Sequence, residues 1–578
     1  MGASIYIFRS SLIFFFLTVI LIPLFPNAQN RYDILITEFL PDPSPSVGLP
    51  ESSFIELTNH SGRNYNLRNW KISNGSATSV IKPDYILKAD SCLILCPASY
   101  AADFNRLGPA LGISGFPSMN NNDGDIILTT DASVVMHALH YDRSWFNNEI
   151  KGRGGWSLEM IDLSNPCTTN NNWTASVSLS GGTPGYKNSV SAENPDSESP
   201  SLIRSTTVDS LNVILIFDEP VDSTTTAFPS NYFISNGIGS PASANALDPF
   251  FDQVEIHLQK PMAGGKIYTI SLQHILDCSG NEISLRNNCK AGMPEKLKPG
   301  DIIFNEILFN PPPYGYDYIE LYNRSSATIA CSGLYLAGRD VTGNLKDPVP
   351  IVKEERSFFP GEYLLLTENP AWVLHNYPMA DPVRTIALSG MPSMPDDLGK
   401  IVLLNAAGDV IDELHYDHHW HSPLLADESG VALERIHSDD PTSLASNWIS
   451  ASAPSGYGTP GYKNSEYSAD SAGTDLLSLD PNVFSPDMDG YQDFLYIRYH
   501  LPAAGFIGSI SVYDIYGRMV RKLVNNILWG TAGSFRWDGL DDKQNLLPMG
   551  HYVMYIELFL PEGRVIKKKL VCVLARHS

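Results

Sequence analysis

Seven residues occur twice in the same order, far apart in one chain: Gly182-Thr183-Pro184-Gly185-Tyr186-Lys187-Asn188 and Gly458-Thr459-Pro460-Gly461-Tyr462-Lys463-Asn464. Identity over such a length implies that a larger unit is repeated. The heptapeptide has the chemistry of a closing turn. Proline fixes φ, and the glycine after it accepts the positive φ of a type II turn. The tyrosine adds a ring to pack and a hydroxyl to hydrogen-bond.

Upstream of each copy the same landmarks recur in order. Asp33–Leu40 is matched by Asp301–Leu308, and Phe54–Asn59 by Tyr318–Asn323. Pro117-Ser118-Met119 is matched by Pro392-Ser393-Met394, Leu139-His140-Tyr141-Asp142 by Leu414-His415-Tyr416-Asp417, and Asn172-Trp173 by Asn447-Trp448. Short β-prone runs, such as Leu87–Leu95 and Asp125–Thr130, are punctuated by polar turns, and long helical periodicity is absent. The expectation is an all-β chain of tandem antiparallel β-sandwiches. At 578 residues about four domains are expected.

Between and after the repeats lie two further β units. Glu193–Pro200 reads as a polar linker. Val213–Asp222, Asn231–Ile234 and Tyr268–Leu272 read as strands, closed by Asp277-Cys278-Ser279-Gly280-Asn281. Residues 466–475 read as a second linker, with the last unit starting at Leu476. The expected organisation is 1–28, 31–190, 198–292, 298–465 and 476–578.

Residues 1–28 have the pattern of a secretory signal peptide. Arg9 precedes the apolar run Leu12–Ile22, and Ala28 is the expected cleavage point. The alternative is an uncleaved anchor helix, for which the run is short. No later segment is long and apolar enough to cross a membrane as a helix. Lys+Arg 39 against Asp+Glu 63 gives a net charge of −24, which argues against general binding to nucleic acid or anionic membranes. Seven cysteines in an exported chain permit disulfides and leave one over. Cys278 and Cys289 flank a loop and form the expected pair. Cys92 and Cys96 share a strand face too far apart to bridge. Cys167, Cys331 and Cys572 are expected as buried thiols.

Several residues could carry chemistry. Asp487, Asp489 and Asp493 are spaced as in an oxygen-rich calcium loop, with Gly490 allowing a sharp turn. The alternative is a polar Asx turn. His415, Asp417, His419 and His421 alternate, so a continuing strand would put them on one face able to bind zinc or copper, with His418 pointing away. The first repeat has Arg143-Ser144-Trp145-Phe146 at that place, so the cluster is not part of the shared fold; the alternative reading is a solvated loop rich in His. Glu38, Glu56 and Glu159 recur as Glu306, Glu320 and Glu434. Paired carboxylates suit acid–base chemistry, but their recurrence in both copies favours a structural role, with strand-face glutamates bonded to loop backbone. His140 and His415 are likewise repeated and expected to be structural. No phosphate-binding loop, His-Glu-x-x-His or nucleophile elbow is present.

As a set, the opening strand with its glutamate, the Phe/Tyr-Ile-Glu-Leu-x-Asn strand, Glu159 and Glu434, Asn-Trp and Gly-Thr-Pro-Gly-x-x-Asn resemble the bacterial lamin-tail domain. That resemblance implies an immunoglobulin-like sandwich and an extracellular adhesion or tethering module, often attached to secreted nucleases and phosphoesterases. The segment from Val213 resembles Ig-like domains of surface-layer proteins. Phe484–Gly490, Val512–Arg518, Trp537-Asp538-Gly539 and Pro548–Tyr552 resemble the Ig-like domain of flagellar hook-capping proteins and the C-terminal sorting domains of type IX secretion cargo. In that cargo a terminal strand rich in Lys and Val follows, which Lys567-Lys568-Lys569-Leu570-Val571 fits; Cys572 and the His577-Ser578 end depart from it. These readings imply a non-catalytic secreted or cell-surface protein whose C-terminal module serves export or anchoring. Its expected partners are a surface protein or glycan and the export machinery, with calcium as the one candidate cofactor. The rival readings are an accessory or remnant of a secreted hydrolase and a carbohydrate-binding surface protein.

Overall fold

The structure is a computed structural model, and it describes residues 31–167, 170–340, 342–468 and 477–576. The expected signal peptide and the stretch 469–476 lie outside the described residues. The chain divides into two compact units. One runs to Glu198 and takes in Asp248–Phe250; the other holds Ser199–Leu247 and Phe251 onward. Both are built from β-sandwiches, as the turn-punctuated strand pattern predicts.

In the first repeat a six-stranded sheet runs in the order Trp173–Ala175, Leu158–Met160, Ile34–Leu40, Phe54–Asn59, Cys92–Pro97 and Ala110–Ile113. A four-stranded sheet of Val135–Asp142, Asp123–Thr129, Lys71–Ser73 and Thr78–Val80 accompanies it. The second repeat has the same two sheets in the same order. Its six strands are Trp448–Ser450, Leu433–Arg435, Ile302–Leu308, Tyr318–Asn323, Tyr363–Thr367 and Thr385–Ala387. Alternating side chains bury Ile36, Leu57, Leu128 and Trp173 in one core and Phe304, Leu321, Leu403 and Trp448 in the other.

One departure from the all-antiparallel expectation recurs in both copies. The strands Cys92–Pro97 and Ala110–Ile113 pair in parallel, as do Tyr363–Thr367 and Thr385–Ala387. Parallel neighbours need a crossover, and short helices at Ala101–Phe104 and Pro370–Asn376 supply it. A helix of one or two turns is too brief to leave a readable period in the sequence.

Two further sandwiches belong to the second unit. The core around Val213, Tyr232, Ile256 and Ile270 lies between sheets of four and three strands. The last core, around Ile497, Trp529, Trp537 and Met554, lies between sheets of three and five strands. There the terminal strand Val565–Leu574 pairs along its whole length with Gly550–Phe559. Ile507–Tyr513 and Met519–Leu528 form the hairpin whose turn Asp514 holds, accepting from the amides of Tyr516 and Arg518 at 2.9 and 3.0 Å.

The cysteine expectation is corrected. Cys278 is disulfide-bonded, but Cys289 is a free thiol, so the Cys278–Cys289 pair does not form. Cys289 lies in the ladder strand Asn288–Gly292, where its side chain is committed to the sandwich. Cys167, expected as a buried thiol, is also disulfide-bonded. Cys331 and Cys572 are free and buried as expected, and burial pushes both thiols up to about 12.

The second linker is shorter than the composition suggests. Ser465, Glu466 and Tyr467 pack on the last sandwich. Thr531 donates its amide to the Ser465 carbonyl at 2.8 Å and its hydroxyl to the Tyr467 carbonyl at 2.6 Å. Glu466 is fully buried and accepts from the Gly505 amide at 3.0 Å.

Candidate functional site

The repeated heptapeptide folds as the type II turn its sequence predicts. Gly185 and Gly461 both have φ of 89°, where a Cβ would be strained. Tyr186 donates its amide to the Thr183 carbonyl at 2.9 Å, and Tyr462 to Thr459 at 3.2 Å. The tyrosine meets expectation in the second copy, where the Tyr462 hydroxyl donates to the Gly458 carbonyl at 3.4 Å, and departs from it in the first. Tyr186 is exposed, and Tyr462 is half-buried. The glycine rather than the ring makes the close approach in the first copy, where Gly185 meets Gly108 backbone to backbone.

Under each turn lie three buried glutamates, brought together from three adjacent strands. A β-bulge in the first strand, between Ile36 and Glu38 and again between Phe304 and Glu306, sets Glu38 opposite both Glu56 and Glu159, and Glu306 opposite both Glu320 and Glu434. In the first repeat Thr183 donates its amide to Glu38 at 2.8 Å and its hydroxyl to Glu159 at 2.8 Å, and the Gly185 amide reaches Glu56 at 2.7 Å. In the second, Thr459 donates its amide to Glu306 at 2.9 Å and its hydroxyl to Glu434 at 2.8 Å, and the Gly461 amide reaches Glu320. Asn188 closes the clasp by donating to the carbonyls of Thr37 and Met160, both at 2.9 Å; Asn464 does the same to Asn305 and Arg435 at 3.1 and 2.8 Å.

Hydrogen-bonding groups lie within reach of both oxygens of each of the six carboxyls, the single hydroxyl hydrogens of Thr183 and Thr459 each serving one of two carboxyls at a time. The remaining donors differ between the copies. Ser157 donates to Glu38 at 2.6 Å, whereas the second copy has Ala432 there and the hydroxyl of Tyr318, at the place of Phe54, reaches Glu306 instead. Thr37 donates to Glu56 at 2.9 Å, and Asn305 to Glu320 at 2.7 Å. Burial pushes Glu56 up to about 7 and Glu306 up to about 8, and it raises Glu38, Glu320 and Glu434 as well; neighbouring carboxylates add to the rise at all of these except Glu434. Carboxyls held near neutrality suit proton transfer. Here, however, the turn covers them, and their oxygens already hold it. The arrangement fits the structural role expected from their recurrence.

The three aspartates of the candidate calcium loop come together. One oxygen from each of Asp487, Asp489 and Asp493 lies within 4.8 Å of the others. The loop folds around them through left-handed residues Met488, Gly490 and Gln492. Asp493 accepts from the amides of Met488 and Gly490 at 2.6 and 2.9 Å, and Asp489 from Tyr491 at 2.7 Å. The Asp489–Tyr491 bond is of the Asx type, so both alternatives raised by the sequence have their residues in place.

Of the two histidine readings, the shared strand face does not form. The strand ends at Asp417, and His418–Trp420 turns as a 3₁₀ segment, which destroys the period of two. His415 pairs with Glu413 at 2.6 Å on the surface. His140 is its counterpart, with Asp125 at 2.6 Å, and both are exposed pairs rather than structural supports. His421 goes into the core, where its Nδ1 lies 2.9 Å from Ser450 Oγ and its ring tilts against Phe309. His418, which the alternation aimed away, instead stands beside His419 with ring centroids 4.0 Å apart.

A cleft in the second unit was not legible in the sequence. It encloses about 780 Å³ where Leu202–Thr207 and Asn288–Gly292 face the second repeat. Arg204, Arg286, Lys290, Arg356 and Arg384 line it, against Glu362 and Asp381. This is a local excess of positive charge in a chain of net charge −24. Lys290 is paired with Glu362 at 2.9 Å, and Arg204 with Glu354 at 3.2 Å; Arg356 donates to the Val383 carbonyl and has no ion-pair partner among the described residues. Lining residues more than 180 positions apart in sequence leave no local signal.

No family model matches the chain, and no curated protein matches it. Among solved structures it is similar to the N-terminal part of the bacterial S-layer protein SbsC, with 17% identity over 29% of this chain and 40% of that one, at a TM-score of 0.16. It is similar to FlgD from P. aeruginosa, with 23% identity over 14% of this chain and 62% of that one, at a TM-score of 0.13. PorZ, a surface component of the type IX secretion system of Porphyromonas gingivalis, matches with 11% identity over 79% of this chain and 56% of that one, at a TM-score of 0.16. The chain thus spans less than half the length of the S-layer fragment and under two thirds of FlgD.

Proposed function

We propose that this is a non-catalytic secreted or cell-surface protein that adheres or tethers, with its C-terminal sandwich serving export or anchoring. The observation that carries the reading is the doubled clasp. The carboxyls whose pairing would suit acid–base work are hydrogen-bonded to the turns that close two equivalent sandwiches. They are the same residues that resemble the lamin-tail domain, and each repeat gathers its three into one bonded set. The last sandwich keeps the Tyr-Asp-x-x-Gly-Arg turn and the long terminal strand that resemble a sorting module. No helix of the described residues is long and apolar enough to cross a membrane.

The test is to delete residues 476–578 and follow the protein in its own cell. Loss from the surface is expected. Unchanged surface display would overturn the export role.

The ligand is best sought among anionic glycans, because the cationic cleft favours carboxylate or sulfate groups. A glycan array probed with the full chain and with Arg356→Ala should show acidic glycans retained by the former and weakened with the latter. Equal binding by both would remove the cleft from the reading. Calcium belongs on Asp487, Asp489 and Asp493, where carboxylate oxygens suit a hard cation. Millimolar calcium should then raise the melting temperature of the full chain, and Asp489→Asn should abolish the rise.

A further inference from the structure

The two repeats present the same turn after Leu-His-Tyr-Asp, but with different side chains. Asp142 and Asp417 each cap it, accepting from the amides of Ser144 and His419 at 2.7 and 2.9 Å. Behind it Trp145 stacks on Trp173 and Trp420 on Trp448 at 6.1 and 6.3 Å. No insertion separates the copies from this turn to Glu159 and Glu434, so positions correspond one to one. The first copy has Asp142, Arg143, Ser144 and Arg153. The second has Asp417, His418, His419 and Glu428. Two arginines and a serine are replaced by two imidazoles and a carboxylate on an unchanged scaffold.

The second set is arranged as metal ligands are. One ligand atom from each of Asp417, His418 and His419 lies within 4.8 Å of the others. His418 Nδ1 faces Glu428 Oε2 at 3.2 Å, and His419 Nδ1 faces Asp417 Oδ1 at 2.7 Å. A carboxylate only accepts, so each holds the N–H on Nδ1 and leaves the lone pair on Nε2. That is the orientation in which carboxylate-supported histidines bind metals. Neither Nε2 has a hydrogen-bond partner among the described residues.

We propose that the second repeat carries a surface site for a zinc-class divalent transition metal, with His418 and His419 as ligands through Nε2, and with Glu428 and Asp417 as the carboxylates that position them. Two imidazoles suit this class rather than calcium, which takes oxygen ligands throughout. Imidazole nitrogens bind zinc at about 2.0–2.1 Å, and the side chains are exposed enough for rotamer adjustment to close the set. Solvent supplies the remaining ligands. The first repeat cannot form such a site, because Arg143 and Arg153 put positive charge where the metal would sit.

The experiment is a zinc titration of the chelator-treated full chain by calorimetry, checked by the visible absorption of cobalt. The double variant His418→Arg/His419→Ser, which installs the first copy's residues, should lose one equivalent of zinc and the corresponding cobalt bands. Glu428→Gln should keep the site and weaken it by about 10–100-fold. Near-UV circular dichroism of the stacked tryptophans reports that the variants stay folded. Equal stoichiometry in wild type and folded double variant, or no zinc uptake by the wild type, would overturn the proposal.

Discussion

The two repeats share a clasp and differ in what holds the bulge beneath it. In the first, the Ile36 amide donates to Nδ1 of buried His137 at 2.8 Å, and Met160 fills the next strand. In the second, the Phe304 amide donates to Asp412 at 2.8 Å. There Arg435, at the place of Met160, is buried over Trp448 and donates to the Phe304 carbonyl at 2.7 Å. Thr442 joins them by donating to Asp412 at 2.7 Å. A neutral imidazole beside an apolar side chain has been exchanged for a buried ionic network around the same backbone kink. The bulge is the invariant requirement, because it aims the glutamates at the turn. The chemistry that satisfies its amide is interchangeable, provided a buried donor finds an acceptor.

The sharpest way to break this comparison is Arg435→Met. It leaves Asp412 buried without its cation and should destabilise the second repeat by about 3–5 kcal/mol. Adding Asp412→His, which completes the first copy's pair, should recover most of that loss. Hydrogen exchange on peptides covering Phe304 and Arg435 measures both. If the double variant is as unstable as the single one, the two solutions are not interchangeable.

The clasps should also respond to pH. The Glu306 carboxyl titrates near 8 when folded, above its ordinary 4.5. The folded state therefore keeps a proton that the unfolded chain releases. Its contribution is complete below about pH 4.5 and is lost as pH rises through 8, with a limiting slope of about 1.4 kcal/mol per unit. Buried His137 and His421 act in the opposite sense, since burial lowers them to about 3 and 4 from 6.5. Their contributions are present above pH 6.5 and are lost as pH falls toward those values. Between pH 6.5 and 8 the carboxyl slope stands clear of the histidines. Glu306→Gln should reduce that slope in denaturant melts, with the other raised carboxyls, Glu56 at about 7 among them, keeping the remainder; an unchanged slope would show that Glu306 keeps no extra proton.

Thr183→Val and Thr459→Val each remove a hydroxyl bridging two buried carboxyls. Each should cost about 2 kcal/mol, and by the same amount in either repeat if the clasps are equivalent. The smallest effect tests the relocated donor. Ser157→Ala should cost about 1 kcal/mol, and adding Phe54→Tyr, the second copy's solution, should restore it. A double variant no better than Ser157→Ala would mean that the hydroxyl cannot be supplied from the neighbouring strand.

The clasp itself was largely legible beforehand. Recurrence of Glu38, Glu56 and Glu159 with the heptapeptide pointed to glutamates bonded to loop backbone, and Pro-Gly set the turn type. The bulge was not legible, because a period-2 pattern shifted by one residue inside a strand buried on both faces leaves no polar mark. The His418–His419 arrangement is hidden for a related reason. Strand alternation stops at Asp417, whose side chain caps a turn and ends the strand there. Glu466 looked like a linker residue because its partner amide, at Gly505, is distant in sequence.

Sequence alone determined what local chemistry and repetition can determine: the all-β class, the duplication, the turn at each clasp, and the residues beneath it. Tertiary structure decided what depends on neighbours remote along the chain. It set which carboxylates meet, that Cys289 stays a free thiol, that His421 is buried while His418 and His419 face solvent together, and that five cations from two sandwiches line one cleft. Turns and periodicity are fixed by backbone sterics within a few residues, whereas a site is fixed by which strands become neighbours. For that reason the Gly-Thr-Pro-Gly-Tyr-Lys-Asn repeat announces its own shape, while the three glutamates it covers become a single feature only in the folded sheet.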